Sequence, residues 1–153
     1  MKLPYSEGTS FVVPLRQGGF AIGVVARASA AGKVILCYFF GPGRTSIPSL
    51  ADLDKLEPSD AVLVVRVGDL SLMDGDWPIV GPIASWNRFE WPMPIFVRKD
   101  PLSHRAWRVQ YSDKDPRKIE GEESEPYEST LERDAVYGAG AAEIVLTKLL
   151  EIR

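Results

Sequence analysis

Residues 9–28, TSFVVPLRQGGFAIGVVARA, followed at 33–40 by KVILCYFF, decide the fold. The run Thr9 to Leu15 is apolar and stops at Gln17-Gly18-Gly19, after which Phe20 to Ala28 resumes. Successive strand side chains point to opposite sides, so Phe20, Ile22 and Val24 share one face and Ala21, Gly23 and Val25 the other. Two such runs around a glycine turn predict a hairpin. Gly23 has no side chain to pack, which predicts a bulge, a sharp bend or the close approach of another backbone. Lys33 to Phe40 is apolar without alternation, the pattern of a strand covered on both faces, and is the expected central strand.

Gly41-Pro42-Gly43 is expected to end that strand, since both residue types break ladders. Beyond Pro48, leucines three apart in Ser49 to Leu56, with Ser49 as N-cap and Asp52 three residues on, predict a short helix over 49–56 stopped by Pro58. Valine-rich Ala61 to Val67 predicts a strand closed by Gly68-Asp69. Strands are expected again at Ile95 to Lys99 and at Ala106 to Ser112, where Trp107, Val109 and Tyr111 alternate with Arg108 and Gln110 and leave one wet face. Ala141 to Ile152 places Ala142, Val145, Leu149 and Ile152 on one stripe opposite Glu143, Thr147 and Glu151, the clearest helix in the chain. The fold class is therefore α+β: a curved, mainly antiparallel β-sheet or partly open β-barrel with a short helix near 49–56 and a C-terminal helix. No repeat and no second hydrophobic block divides the chain, so one domain over 1–153 is expected.

The 153 residues carry 18 Lys and Arg against 21 Asp and Glu, a formal charge of -3. That balance lacks the basic footprint that drives counterion release, which argues against nucleic acid as a partner. Between Asp113 and Asp134 nine acidic residues meet four basic ones, an excess of five negative charges, so the remainder is slightly basic at +2. This stretch is poor in aliphatic residues and is expected to be a loop excursion with, at most, a short strand near Lys118-Ile119. Cys37 is the only cysteine, which excludes an internal disulfide and suits a reducing cytoplasm. The opening Met1 to Glu7 lacks the apolar core of a secretory signal, and no run is long enough for a membrane span. A cytoplasmic, non-membrane protein is expected.

Between Leu70 and Pro94 come Trp77-Pro78, Gly81-Pro82, Trp86 and Trp91-Pro92-Met93-Pro94. Prolines remove backbone donors too often here for a regular helix or central strand, so an irregular connection carrying large apolar groups is expected. Trp77 and Pro78 are expected inside. Trp86, Arg88, Glu90 and Trp91 form a mixed aromatic and charged rim of the kind that binds partners, and they are the candidate contact residues here. Glu122, Glu123 and Glu125 are the second candidate group, an acidic patch able to steer a basic partner.

The ordered set Gly8 to Leu15 with Gly18 to Val25, the strand Val34 to Phe40, and Gly75-Asp76-Trp77-Pro78-Ile79-Val80-Gly81 resembles the immunity protein 26 family of bacterial polymorphic toxin systems. The resemblance covers residues 8 to 98 and leaves the acidic excursion and the C-terminal helix outside. It implies a cytoplasmic protein that binds and neutralises a cognate toxin, without catalysis of its own; no cofactor is expected.

His104 is the sole histidine, the commonest base for a nucleophile, and it lies in what reads as a surface turn. Cys37 lies among Leu36, Tyr38 and Phe39, where apolar surroundings suppress the thiolate. Asp74-Gly75-Asp76 is too short for a calcium loop and Gly41-Pro42-Gly43-Arg44 for a phosphate loop; both read as turns. Two alternatives stay open. One is a small-barrel peptide or nucleic-acid binding module using its aromatics as stacking platforms. The other is a hydrolase or isomerase whose cleft would join Asp69, Asp76 and Glu90.

Overall fold

The computed structural model describes residues 2–151. Among them nine strands form two open sheets, and neither closes into a barrel. The first sheet contains β1 (Thr9–Pro14), β2 (Phe20–Ala28), β3 (Val34–Arg44), β4 (Leu63–Gly68), β5 (Ile79–Pro82) and β9 (Val136–Tyr137) in the order β5-β1-β2-β3-β4-β9. The second contains β6 (Phe96–Asp100), β7 (Arg105–Tyr111) and β8 (Ile119–Glu125) in the order β6-β7-β8. All pairs within the sheets are antiparallel except β4 with β9. Three α-helices lie among the described residues: α1 (Leu50–Leu53), α2 (Leu70–Asp74) and α3 (Ala139–Glu151).

The predicted hairpin is β1 and β2, and its two faces sort as expected. Ala21 and Val25 face one core with Phe11 and Val13, while Ile22, Val24 and Ala26 face the other. β3 lies between β2 and β4, with Ile35, Cys37 and Phe39 in the first core and Leu36, Tyr38 and Phe40 in the second. The unbroken apolar run of β3 is therefore the signature of a strand buried on both sides. Trp77, α2 and α3 cover one face of the first sheet, and the second sheet with Trp91 covers the other.

Gly23 serves a close approach, made by a side chain and not by another backbone. It pairs with Phe11 on one side and Phe39 on the other, and any Cβ on it would overlap the Phe11 ring. That ring stacks on Trp77 at 5.5 Å between centroids, with Phe39 edge-on to both. The bulges of β2 lie elsewhere, next to Phe20 and Val25.

Several elements depart from the sequence-based expectation. Gly41-Pro42-Gly43 does not end β3; the strand continues until Arg44 pairs with Phe20, two residues out of the register set by Phe40 with Ile22. A register slip needs no donor from Pro42, and the glycines bring no side chain to obstruct it. α1 is capped by Ser49, whose Oγ accepts from the Asp52 N–H at 3.3 Å, but it ends after one turn once Leu53 is buried. The proline-rich connection is more ordered than expected: it holds α2, terminated by Gly75 at φ +84°, and β5. β5 is an edge strand, where Pro82 costs no ladder bond.

The acidic excursion contains a full seven-residue strand, β8, longer than the short strand allowed for it. None of its side chains is buried, so local hydrophobicity gave no signal. The backbone ladder to β7 holds it instead, with Arg108 of β7 opposite Glu123 and Arg98 of β6 reaching Glu122. In α3, Ala142 is buried and Val145 and Leu149 are half-buried as expected, but Leu146 and Thr147 are buried too. The Thr147 hydroxyl donates to the Glu143 carbonyl at 2.7 Å and accepts from the Arg16 N–H at 3.0 Å, which lets a polar group sit on the packed side. Ile152 lies outside the described residues.

Arg66 joins the two sheets. It projects from β4 and lies 3.7 Å above the Tyr111 ring of β7, donating to Asp134 Oδ1 at 2.9 Å and to the Pro116 carbonyl at 3.1 Å. Tyr111 also donates its hydroxyl to Asp134. Burial first, and that bond second, push the Tyr111 phenol up to about 12.

Candidate partner interface

The tryptophan-rich connection splits across the first sheet. Trp77 is fully buried on the α3 side, and its Nε1–H donates to Glu143 Oε2 of that helix at 2.9 Å. Trp77 is inside as expected, with Pro78 half-buried. Trp86 and Trp91 pack on the other side, 5.4 Å apart. Trp91 is only 4% exposed, edge-on to Tyr38 at 5.1 Å and Phe40 at 5.9 Å, so it lies in the core and not on the rim expected for it. Its large ring fills the second core, which no small side chain at 91 would do. The Tyr38 hydroxyl locks this segment by donating to the Pro92 carbonyl at 2.6 Å. Burial pushes that phenol up to about 12 against a smaller opposing pull from Arg27. Trp86 is half-buried over Gly8, where φ is +91° and a Cβ would lie 2.7 Å from the indole.

Between these tryptophans, Arg88–Glu90 form one 3-10 turn whose first residue is pinned. Arg88 donates to Glu7 Oε1 at 2.8 Å, to Asp113 Oδ2 at 2.7 Å and to the Asp113 carbonyl at 2.7 Å. Buried Arg27 donates to Asp113 Oδ1 at 2.7 Å and to the Arg88 carbonyl at 2.9 Å. The bond from Arg27, followed by that from Arg88, holds the Asp113 carboxyl below its ordinary value. Bonding to Glu7, then to Asp113, raises the Arg88 guanidinium in turn. Arg88 is thus half-buried and committed within the chain, not presented outward as the sequence implied; the demand for two carboxylates fixes it in place.

What this arrangement presents is Phe89, 84% exposed, together with exposed Asn87 and Glu90. Phe89 was missed in the sequence. The Asn87 side chain caps the turn by accepting from the Phe89 N–H at 3.2 Å. An N-cap asparagine between two packing tryptophans was the available signal, since the middle of so short a turn has to face away from both. The acidic candidates lie on β8. Glu122 is engaged with Arg98, and Glu125 accepts from Ser129 at 2.9 Å. Glu123 is exposed and, like Glu120, makes no side-chain hydrogen bond among the described residues. The two candidate groups are connected through Asp113, which bonds Arg88 and lies in the segment leading from β7 to β8.

The family model for immunity protein 26 matches residues 6–108. The chain belongs to the immunity protein 26 family. Neither a curated protein nor a solved structure matches it. The immunity protein 26 match includes Glu7 and Arg88 and ends within β7, so Asp113, β8 and α3 lie beyond it.

In this immunity protein 26 member the groups weighed for catalysis stand in different surroundings. Cys37 is buried, and burial drives its thiol well above the ordinary value. His104 is exposed in the β6–β7 turn, stacked on Tyr127 at 3.9 Å, and so is separated from the core cysteine. Asp69 accepts from the Tyr5 hydroxyl at 2.6 Å and from the Lys33 N–H at 2.9 Å, whereas Asp76 and Glu90 are exposed. Among the described residues no three His, Cys, Asp or Glu groups converge as a metal would require. No helix there is long and apolar enough to cross a membrane. Trp77 and Trp91, being buried, cannot serve as stacking platforms for bases.

Proposed function

We propose that this protein acts in the bacterial cytoplasm as the stoichiometric antidote to a cognate toxin of a polymorphic toxin system. It binds the toxin and blocks it without chemistry or a cofactor. The match of the immunity protein 26 model over residues 6–108 carries this reading. Phe89 and Glu90 contact the toxin from the pinned turn, with Trp86, Arg88 and Trp91 beneath as their rigid support. Preorganisation of this kind lowers the ordering cost of association. Glu122, Glu123 and Glu125 supply an acidic flank whose field accelerates encounter with a basic toxin surface.

The test is co-expression with the toxin-like product of the adjacent gene. A complex of one copy of each, with rescue of growth under toxin expression, is the expected result. Failure to bind and failure to protect against that product would overturn the proposal.

A further inference from the structure

Two open sheets have four edges, and three of them are blunted. β5 is four residues long, ends in Pro82 and has the Leu50 side chain of α1 over Gly81. β9 is two residues long. β6 is bridged where the Val97 N–H donates to the Glu132 carbonyl at 2.9 Å and the Asp134 N–H to the Val97 carbonyl at 2.8 Å. Only β8 keeps an outer edge with no strand or bridge against it among the described residues. Gly121 to Glu125 hold unbroken register with β7, the irregularity being confined to Glu120. Backbone N–H and C=O groups along such an edge point outward in alternation and template a further strand.

Charge selects which strand. β8 carries Glu120, Glu122, Glu123 and Glu125 and no cation, while β6 and β7 carry Arg98, Lys99, Arg105 and Arg108. The sheet thus passes from cationic strands to an anionic edge, with Arg108 opposite Glu123 in register. A second copy of β8 would set carboxylates against carboxylates, and like charges directly opposite destabilise a pair. The same residues that forbid self-pairing favour a cationic neighbour.

We propose that the outer edge of β8 receives a lysine- or arginine-rich extended segment of the protein partner as a fourth strand of the second sheet. This rests on the toxin-binding reading and specifies its mode: backbone bonds along the edge supply affinity, and the glutamates supply selection.

Two measurements test it. The first titrates the full chain with a seven-residue peptide alternating lysine and valine, alongside one with its lysines replaced by glutamate and one with its central valine replaced by proline. Binding of the first peptide alone is expected, with slowed amide exchange along 121–125 and at least tenfold weakening in the Glu120→Lys/Glu123→Lys double variant. Absence of binding, or equal binding by the proline peptide, overturns the proposal, because charge without strand pairing would then explain the result. The second measures amide exchange in the complex with the adjacent gene's toxin. Slowed exchange along 121–125 supports strand addition. A complex that leaves 121–125 unchanged overturns strand addition while the antidote reading stands. Absence of any complex removes both.

Discussion

The six-stranded sheet is buried on both faces, whereas the three-stranded sheet packs one face against it and carries charge along its open edge. The first is built around rings and aliphatic groups: Phe11, Phe39 and Trp77 on one side, Phe40 and Trp91 on the other. The second carries the seven-residue strand β8, whose exposed side chains are mostly glutamates. Burial supplies most of a domain's stability, and exposed charge supplies little. Stability and recognition are therefore separated in space, so changes can be chosen that alter one and spare the other.

The largest effect is expected from the first sheet. Trp77→Ala removes a fully buried indole, its stack on Phe11 and its bond to Glu143, and leaves a cavity beneath α3. A loss of about 4 kcal/mol in urea-unfolding free energy is expected. A loss under about 1 kcal/mol would mean that α3 collapses onto the sheet without Trp77, contrary to the stacked geometry.

The joint between the sheets should rank second. Asp134→Ala leaves Arg66 buried without its carboxylate and Tyr111 without its acceptor, a change expected to cost about 3 kcal/mol. Amide exchange sharpens the comparison: β6 and β7 should lose protection while β2 and β3 keep theirs. Equal loss in both sheets would show that the two unfold as one unit.

The same contrast explains what could be read from the sequence. The hairpin, the central strand and α3 were legible because apolar patterning reports burial, and α1 because Ser49 caps it and Leu53 anchors it in the core. Gly23 was legible as a place of close approach, but not what approached, since Phe11 and Trp77 meet there only through tertiary packing. β8 was not legible as a full strand because its order comes from pairing with β7, beside Arg98 and Arg108, not from its own composition. At the candidate interface, Trp86, Arg88 and Trp91 stood out as a group in the sequence, but the structure buries Trp91 and pairs Arg88 within the chain. Sequence reveals that a tryptophan and an arginine are special; whether they face a partner or brace a turn depends on Tyr38, Glu7, Arg27 and Asp113, all distant along the chain.

That brace predicts a smaller, pH-dependent effect. Asp113 has a folded pKa lowered by Arg27 and then Arg88, so its contribution is present above the unfolded value, about 3.9, and is lost as pH falls through the folded one. Asp113→Asn should therefore reduce stability at pH 7 and flatten the acid limb below about pH 4. Because the carboxylate is half open to water, the change should stay well below that of Asp134→Ala. An acid limb identical to that of the unmodified chain would remove Asp113 from the brace.

The smallest change in stability should come from the most exposed aromatic. Phe89→Ala removes a ring that contacts water on most of its surface, so the unfolding free energy should move by no more than about 0.5 kcal/mol. Trp77→Ala and Phe89→Ala thus delete two aromatics only twelve positions apart with opposite expected outcomes, since one side chain is fully buried and the other 84% exposed. In the proposed toxin complex the order should reverse for Phe89: the turn beneath it is already held by Arg88, so the ring joins an interface with little backbone ordering left to oppose it. Loss of that contact should appear mainly as faster dissociation, roughly tenfold or more, with the association rate nearly unchanged because no charge is altered. A toxin off-rate insensitive to Phe89→Ala would move the contact away from the turn and leave the acidic edge of the second sheet to account for recognition.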